Sequence, residues 1–159
     1  MAAVSENIKV TKEHERMSLF ATQKLHEIAK TEGFLIFVFG SNEAGIHGAG
    51  AARHALEEWG AIRGKGHGPY GSSYALPTND HQIRSLPLPA IQNYVTVFKA
   101  YAKAAPELLF KVTRVGCGLA GFKDHEIAPM FIGSTSNCSF DTNWHPYLGD
   151  EYEYWGHVP

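Results

Sequence analysis

The chain has 159 residues, of which 44% are hydrophobic and 19% are charged, so it is the size of one globular domain with its own core. Its formal net charge of −2 offers no overall attraction for nucleic acid, which argues against nucleic acid as the main partner. The two cysteines, Cys117 and Cys138, form no CxxC pair, a pattern that favours a reducing, cytoplasmic setting over a zinc site or a disulfide scaffold.

The longest purely apolar run, residues 34–39, is too short to span a bilayer. The first residues, MAAVSENIKVTKEHERM, are polar rather than the apolar core of a signal peptide. The histidines are scattered without the spacing of metal ligands. We therefore expect no membrane segment, no export signal, no metal and no cofactor.

The first predicted helix begins at Ser18, a residue type that caps helices, and ends at Gly33. Residues 1–17 are expected to form a loose segment, and residues 18–159 a single domain. The run FLIFVFG (residues 34–40) is short, wholly apolar and closed by glycine, which predicts a strand buried on both faces. Residues 51–59 carry apolar positions at helical spacing and predict a second helix.

A glycine-rich stretch, GAIRGKGHGPYG (residues 60–71), follows that helix and predicts a loop, either a plain connection or a mobile flap that contacts phosphate. The sequence SSYALPT (residues 72–78) predicts a strand stopped by Pro77. Pro89 then starts a helix that should end near Ala105.

The last third of the chain predicts two further strands, in LLFKVTRVG (residues 108–116) and NCSFD (residues 137–141), separated by a short helix that Asp124 caps. Strands that alternate with helices favour an α/β domain. We expect its central strands to be parallel and covered by helices on both faces.

Two loops in this arrangement could hold a ligand: SNEAGIHGAGAA (residues 41–52) and GCGLAGFKD (residues 116–124). Ligands of open parallel sheets bind at the carboxyl ends of strands, where glycine loops and helix amino termini present free N–H groups. Gly48 and Gly50 allow the backbone to approach a bound group closely. A diphosphate is the natural guest, and a tight structural turn is the alternative for either loop alone.

The second loop also contains G-x-G-x-x-G, with Asp141 about 20 residues beyond, as in dinucleotide-binding oxidoreductases. The short chain left after Asp141 and the late start of the next helix make this Rossmann interpretation the weaker one. The signatures of serine hydrolases, P-loop NTPases and zincins are missing. His47 could donate to a phosphate or polarise a sugar hydroxyl, and Cys117 fits a small residue in a tight turn.

With these loops, the chain resembles a macro domain, the family that binds ADP-ribose and its derivatives, and most of all the branch of terminal ADP-ribose protein glycohydrolases. The resemblance rests on HGAGAA (residues 47–52), SYALPT (residues 73–78) and VTRVGCGLAGF (residues 112–122), together with the helix from Pro89. It implies a three-layer α/β/α sandwich with a mainly parallel sheet and with ADP-ribose, free or on a macromolecule, lying across the strand ends.

The resemblance also implies which residues contact the ligand. Asn42 falls near the distal ribose and Phe140 near the adenine, where an aromatic ring can stack. The residues matched to the two loops are His47, Gly48, Ala49 and Gly50 in the first, and Gly116, Cys117, Gly118, Leu119, Ala120, Gly121 and Phe122 in the second.

The chain departs from the glycohydrolase branch at the catalytic positions, where Asn79 and Ala120 stand in place of a lysine and an aspartate. The family's amino-terminal aspartate, which reads adenine, also has no counterpart. The sequence therefore predicts a protein that binds ADP-ribose or a related nucleotide. ADP-ribosyl hydrolysis is the alternative, with His47 and Asp80 as the candidate catalytic residues, ahead of Lys123 and Asp124.

Overall fold

The computed structural model describes the backbone of residues 2–157 and the side chains of residues 12–157. Its strands are β1 (Leu35–Asn42), β2 (Gly68–Tyr70), β3 (Ser73–Asn79), β4 (Leu109–Val112), β5 (Cys138–Asp141) and β6 (Glu153–Gly156). They form one sheet in the order β2-β3-β1-β4-β5-β6, and every pairing is parallel except that of β2 with β3. The α-helices are α1 (Ala2–Glu32), α2 (Gly50–Glu58), α3 (Leu88–Ala104), α4 (Asp124–Ile127) and α5 (His145–Leu148).

The central strand β1 divides the core in two because alternate side chains of a strand point to opposite faces. Phe37 and Phe39 pack on the face that α1 and α2 cover, where Trp59 stacks on Phe37 with ring centroids 5.1 Å apart. Ile36 and Val38 pack on the other face, beneath α3 and the short helices that follow β4. The predicted three-layer α/β/α sandwich with a mainly parallel sheet is confirmed.

Helix α1 begins at Ala2, well before Ser18, so the helix start predicted at Ser18 is wrong. No glycine or proline interrupts residues 2–17, so nothing in the sequence ends the helix there. Ser18 lies inside the helix, and its Oγ donates to Oε2 of Glu153 on β6 at 3.2 Å. Among the residues that the structure describes, no helix has both the length and the apolar character needed to cross a membrane.

β2 and β6 were not predicted from the sequence, and the predicted end of β3 was too early. Proline is tolerated at position 77 because β2 pairs only with residues 73–75, so Pro77 has a neighbouring strand only on the side of β1. β3 therefore continues to Asn79. Strand β6 is short and carries an exposed glutamate. It is held by Trp155, whose Nε1 donates to the carbonyl of Val112 at 2.8 Å.

Asn137, predicted as part of a strand, instead closes the carboxyl end of α3. Its buried Nδ2 lies 2.9 Å from the carbonyl oxygen of Ala102 and 3.1 Å from those of Ala105 and Leu108. These carbonyls belong to the turn that joins α3 to β4. One amide thus supplies donors to a turn that would otherwise hold buried, unpaired oxygens.

The substitution Asn137→Ala should lower the free energy of unfolding by about 2 kcal/mol, because it leaves buried carbonyl oxygens without a donor. Urea unfolding followed by circular dichroism measures this loss. The exposed neighbour Ser136 provides the matched control, since Ser136→Ala should change stability by less than about 0.5 kcal/mol. A loss for Asn137→Ala no larger than that of the control would contradict the assignment.

Candidate functional site

The two glycine loops lie where the chain leaves neighbouring strands in opposite directions. Strands β1 and β4 are adjacent and parallel. After β1 the chain passes through α2 on one face to reach β3, whereas after β4 it passes through α4 on the other face to reach β5. Such a reversal opens a crevice at the carboxyl ends of the two strands, which is where ligands of open α/β sheets bind.

The loops meet at this point and form what we call the glycine crevice, made of residues 48–50 and 116–121. A Cβ placed on Gly50 would lie 3.5 Å from Cδ1 of Leu119, so the first loop touches the second. A Cβ on Gly40, near the end of β1, would lie 3.2 Å from the backbone nitrogen of Gly116. The structure therefore brings the two loops together at one place.

The backbone of the crevice is unusually accessible. A Cβ on Gly48, Gly118 or Gly121 would meet no atom within 4 Å. Helix α2 starts at Gly50 without a side-chain cap. Within the part of the chain that the structure describes, seven backbone N–H groups of the crevice donate to no protein acceptor: those of Gly48, Ala49, Gly50, Gly116, Gly118, Leu119 and Ala120. Free N–H groups beside a helix amino terminus form a favourable environment for an anion.

The first loop is held in shape by buried polar groups. Asn42 is buried, and its amide closes the loop on itself: Oδ1 accepts from the N–H of Ile46 at 2.9 Å, and Nδ2 donates to the carbonyl of Ile46 at 2.7 Å. The segment 60–66 packs against the same loop, with the N–H of Gly64 donating to the carbonyl of Gly45 at 2.9 Å. Asn42 therefore serves loop structure, and its predicted contact with a ribose is not supported by where its amide points.

His47 is also buried, with only 2% of its surface exposed. Its Nε2 lies 3.2 Å from the carbonyl oxygens of both Ile62 and Lys65, so this nitrogen carries the proton and donates. The ring stands edge-on to Phe39 at 5.3 Å. His47 thus fastens the first loop to the segment 60–66, and the proposed contacts with a phosphate or sugar hydroxyl are wrong for this geometry.

Asp80, the second candidate catalytic residue, organises a tight turn. Its Oδ1 accepts the backbone N–H groups of Gln82 at 2.8 Å and of Arg84 at 3.0 Å. The hydrogen bond from Arg84 is the main reason that the pKa of Asp80 is lowered. A carboxylate with a lowered pKa is a poor general base near neutral pH. The carboxylate of Asp80 therefore stabilises a polar turn.

Asp124 was predicted to cap α4, but the residue before it, Lys123, occupies that position. The carboxylate of Asp124 accepts from Nε and Nη2 of Arg114 at 2.9 and 2.6 Å, and from Nε1 of Trp144 at 2.8 Å. The hydrogen bonds from Arg114 lower the pKa of Asp124. This network fixes the stem of the second loop, because Arg114 precedes the loop and Asp124 is its last residue.

Cys117, inside the second loop, is half-buried. Burial, with a smaller effect of the nearby Asp124, raises the pKa of its thiol to about 12. The thiol is therefore neutral at physiological pH and is not an activated nucleophile. Phe122 closes the loop through its N–H, which donates to the carbonyl of Gly116 at 2.9 Å, and Ser85 ties Ala120 in place by donating to its carbonyl at 3.2 Å.

Phe140 was expected to stack on adenine, and this expectation is wrong for the described structure. The side chain is fully buried on β5, with ring centroids 5.7 Å from Phe131, 6.2 Å from Trp144 and 5.6 Å from Tyr152. A core aromatic in this position has no free face for a base.

A polar cluster that was not predicted from the sequence lies on the same edge of the sheet. Asp141, at the end of β5, is buried and accepts from the backbone N–H of Asn143 at 2.8 Å. Its other oxygen lies 2.8 Å from Nδ1 of His157, just after β6. Since both oxygens of Asp141 are engaged, the carboxylate is not free to read a ribose in the manner of a dinucleotide-binding fold. The missed strand β6 is the reason that this cluster had no sequence signal.

No family model matches the chain, and comparison with curated proteins and with solved structures found no significant match.

The Arg114–Asp124 network predicts a specific acid sensitivity. Because the folded state lowers the pKa of Asp124 below its usual value of 3.8, its contribution to stability is present above that pH and is lost as the pH falls through the folded value. In urea unfolding, the free energy of unfolding of wild type should therefore exceed that of Asp124→Asn most clearly at about pH 6. The difference should shrink toward about pH 3. A difference that stays constant or grows on acidification would contradict this assignment.

Proposed function

We propose that this protein binds ADP-ribose, or a related nucleotide that carries a diphosphate, in the glycine crevice. The observation that carries the proposal is the meeting of two glycine loops at the point where β1 and β4 send the chain in opposite directions. The sequence resemblance to macro domains names the ligand class. The ligand is either free or attached to a macromolecule.

Backbone groups supply the affinity in this proposal. The free N–H groups of residues 48–50 and 118–120 donate to the diphosphate oxygens from two sides, and the nine residues of α2 add the positive end of their dipole. Arg114 is already paired with Asp124, so the side chain contributes little charge to a guest. Leu119, which is 83% exposed, offers an apolar surface for the ribose or base.

Binding without hydrolysis is the form of the proposal that the side chains favour. Breaking an ADP-ribosyl bond needs a group that activates water or forms a covalent adduct. His47 is buried beneath the loop, and the carboxylate of Asp80 already accepts hydrogen bonds from two backbone N–H groups. Asn79 and Ala120 hold the positions of the branch's lysine and aspartate. The Rossmann alternative is weaker still, because α4, which follows the G-x-G-x-x-G loop, has only four residues.

The substitution Gly118→Glu tests the proposal, because it adds bulk and negative charge where a diphosphate oxygen should lie. A side chain fits there without a clash, so folding should survive. Isothermal titration calorimetry with ADP-ribose should show at least a tenfold loss of affinity. Ser136→Glu, which adds the same charge on an exposed residue before β5 at the opposite edge of the sheet, should bind as wild type does.

Two results would contradict the proposal. Equal affinities of Gly118→Glu and Ser136→Glu for ADP-ribose would remove the second loop from the site. A wild-type protein that gives no heat with millimolar ADP-ribose but binds NAD would favour the dinucleotide-binding alternative.

A further inference from the structure

A separate pocket opens beside α3, close to the ends of β1 and β3, and contains no residue of the glycine crevice. Its volume is about 300 Å³, at the small end of the range for small-molecule sites. Leu86, Ala90 and Val97 supply apolar walls, while Glu43, Tyr94 and His67 supply the polar groups. We call this cavity the α3 pocket.

The carboxylate of Glu43 is the chemically distinctive group of the α3 pocket. Its Oε2 accepts a hydrogen bond of 2.5 Å from the hydroxyl of Tyr94. Nδ1 of the exposed His81 lies 3.9 Å from its Oε1, which is beyond hydrogen-bond distance. Among the described residues, no donor satisfies Oε1. The pocket thus presents a partly buried carboxylate oxygen that is ready to accept.

The other polar groups of the pocket do not neutralise this charge. The hydrogen bond to Glu43, followed by burial, raises the pKa of Tyr94 to about 12, so its phenol stays a neutral donor. Burial lowers the pKa of His67, and its ring, packed edge-on to Tyr94 at 4.8 Å, is neutral around pH 7.5. Neither lysine nor arginine lines the pocket within the described chain.

We propose that the α3 pocket binds a small organic cation, a primary ammonium group attached to an apolar body. The ammonium group donates to Oε1 of Glu43 and lies against the ring of Tyr94, where a carboxylate and an aromatic ring both favour positive charge. The apolar body lies against Leu86, Ala90 and Val97. This binding does not depend on the proposed nucleotide function, since the two sites share no residue.

Phenethylamine is the probe for this proposal, and 2-phenylethanol is its neutral counterpart of the same shape. Chemical-shift titration of nitrogen-15-labelled full-length protein at pH 7.5 should show that the amine binds at least tenfold more tightly than the alcohol. Its shifts should map to residues around Glu43 and the first half of α3. Equal affinities of amine and alcohol, or no shifts at these residues, would overturn the proposal.

Two pairs of variants separate charge from shape. Glu43→Gln keeps the side-chain volume and an oxygen for Tyr94 but removes the charge, and it should weaken phenethylamine at least tenfold. Val97 is 50% exposed on the pocket rim, so substitutions there should leave the fold intact. Val97→Lys should weaken the amine, and Val97→Met, of similar length but neutral, should not. An unchanged affinity for the amine in both Glu43→Gln and Val97→Lys would show that the carboxylate does not hold it.

Discussion

The parallel pairing of β1 with a strand on each side is the constraint on which the rest of the structure depends. β1 is buried on both faces, and its neighbours β3 and β4 run in the same direction. Both glycine loops therefore lie at the same edge of the sheet, where the carboxyl ends of β1 and β4 meet. The distance of 3.2 Å between a hypothetical Cβ on Gly40 and the nitrogen of Gly116 shows how little space separates β1 from the second loop. Only the absence of a side chain permits this approach.

The polar residues of the first loop act as supports for its backbone. His47 and Asn42 were candidates for ligand contact by sequence, yet both are buried and bonded to main-chain atoms of the loop or of the segment 60–66. That segment belongs to the stretch 60–71, which was expected to be a plain connection or a mobile flap. Its packing against Gly45 instead supports the backbone of the first loop. The chemistry of the crevice consequently lies in the backbone, which side-chain motifs alone do not reveal.

Sequence patterns predicted those elements whose apolar periodicity is long or continuous. The runs that became β1, α2, α3, β4 and β5 lie within a few residues of their predicted bounds, because burial on a sheet or helix face requires that pattern. β6 has only four residues, and tertiary hydrogen bonds made by Ser18 and Trp155 help to hold it beside β5. The Asp141–His157 contact depends on that strand, so it could not be anticipated. Asp124 was assigned to a cap because the competing partner, Arg114, lies ten residues away in sequence.

Nucleotide binding in the glycine crevice is tested most directly by a two-dimensional NMR titration of nitrogen-15-labelled protein with ADP-ribose. We expect the largest amide shifts on residues 48–50 and 118–120, whose N–H groups are free to donate. Amides at the opposite edge of the sheet, such as those of residues 133–136, should stay in place. Shifts concentrated at that opposite edge, or an unchanged spectrum at millimolar ADP-ribose, would contradict nucleotide binding in the glycine crevice.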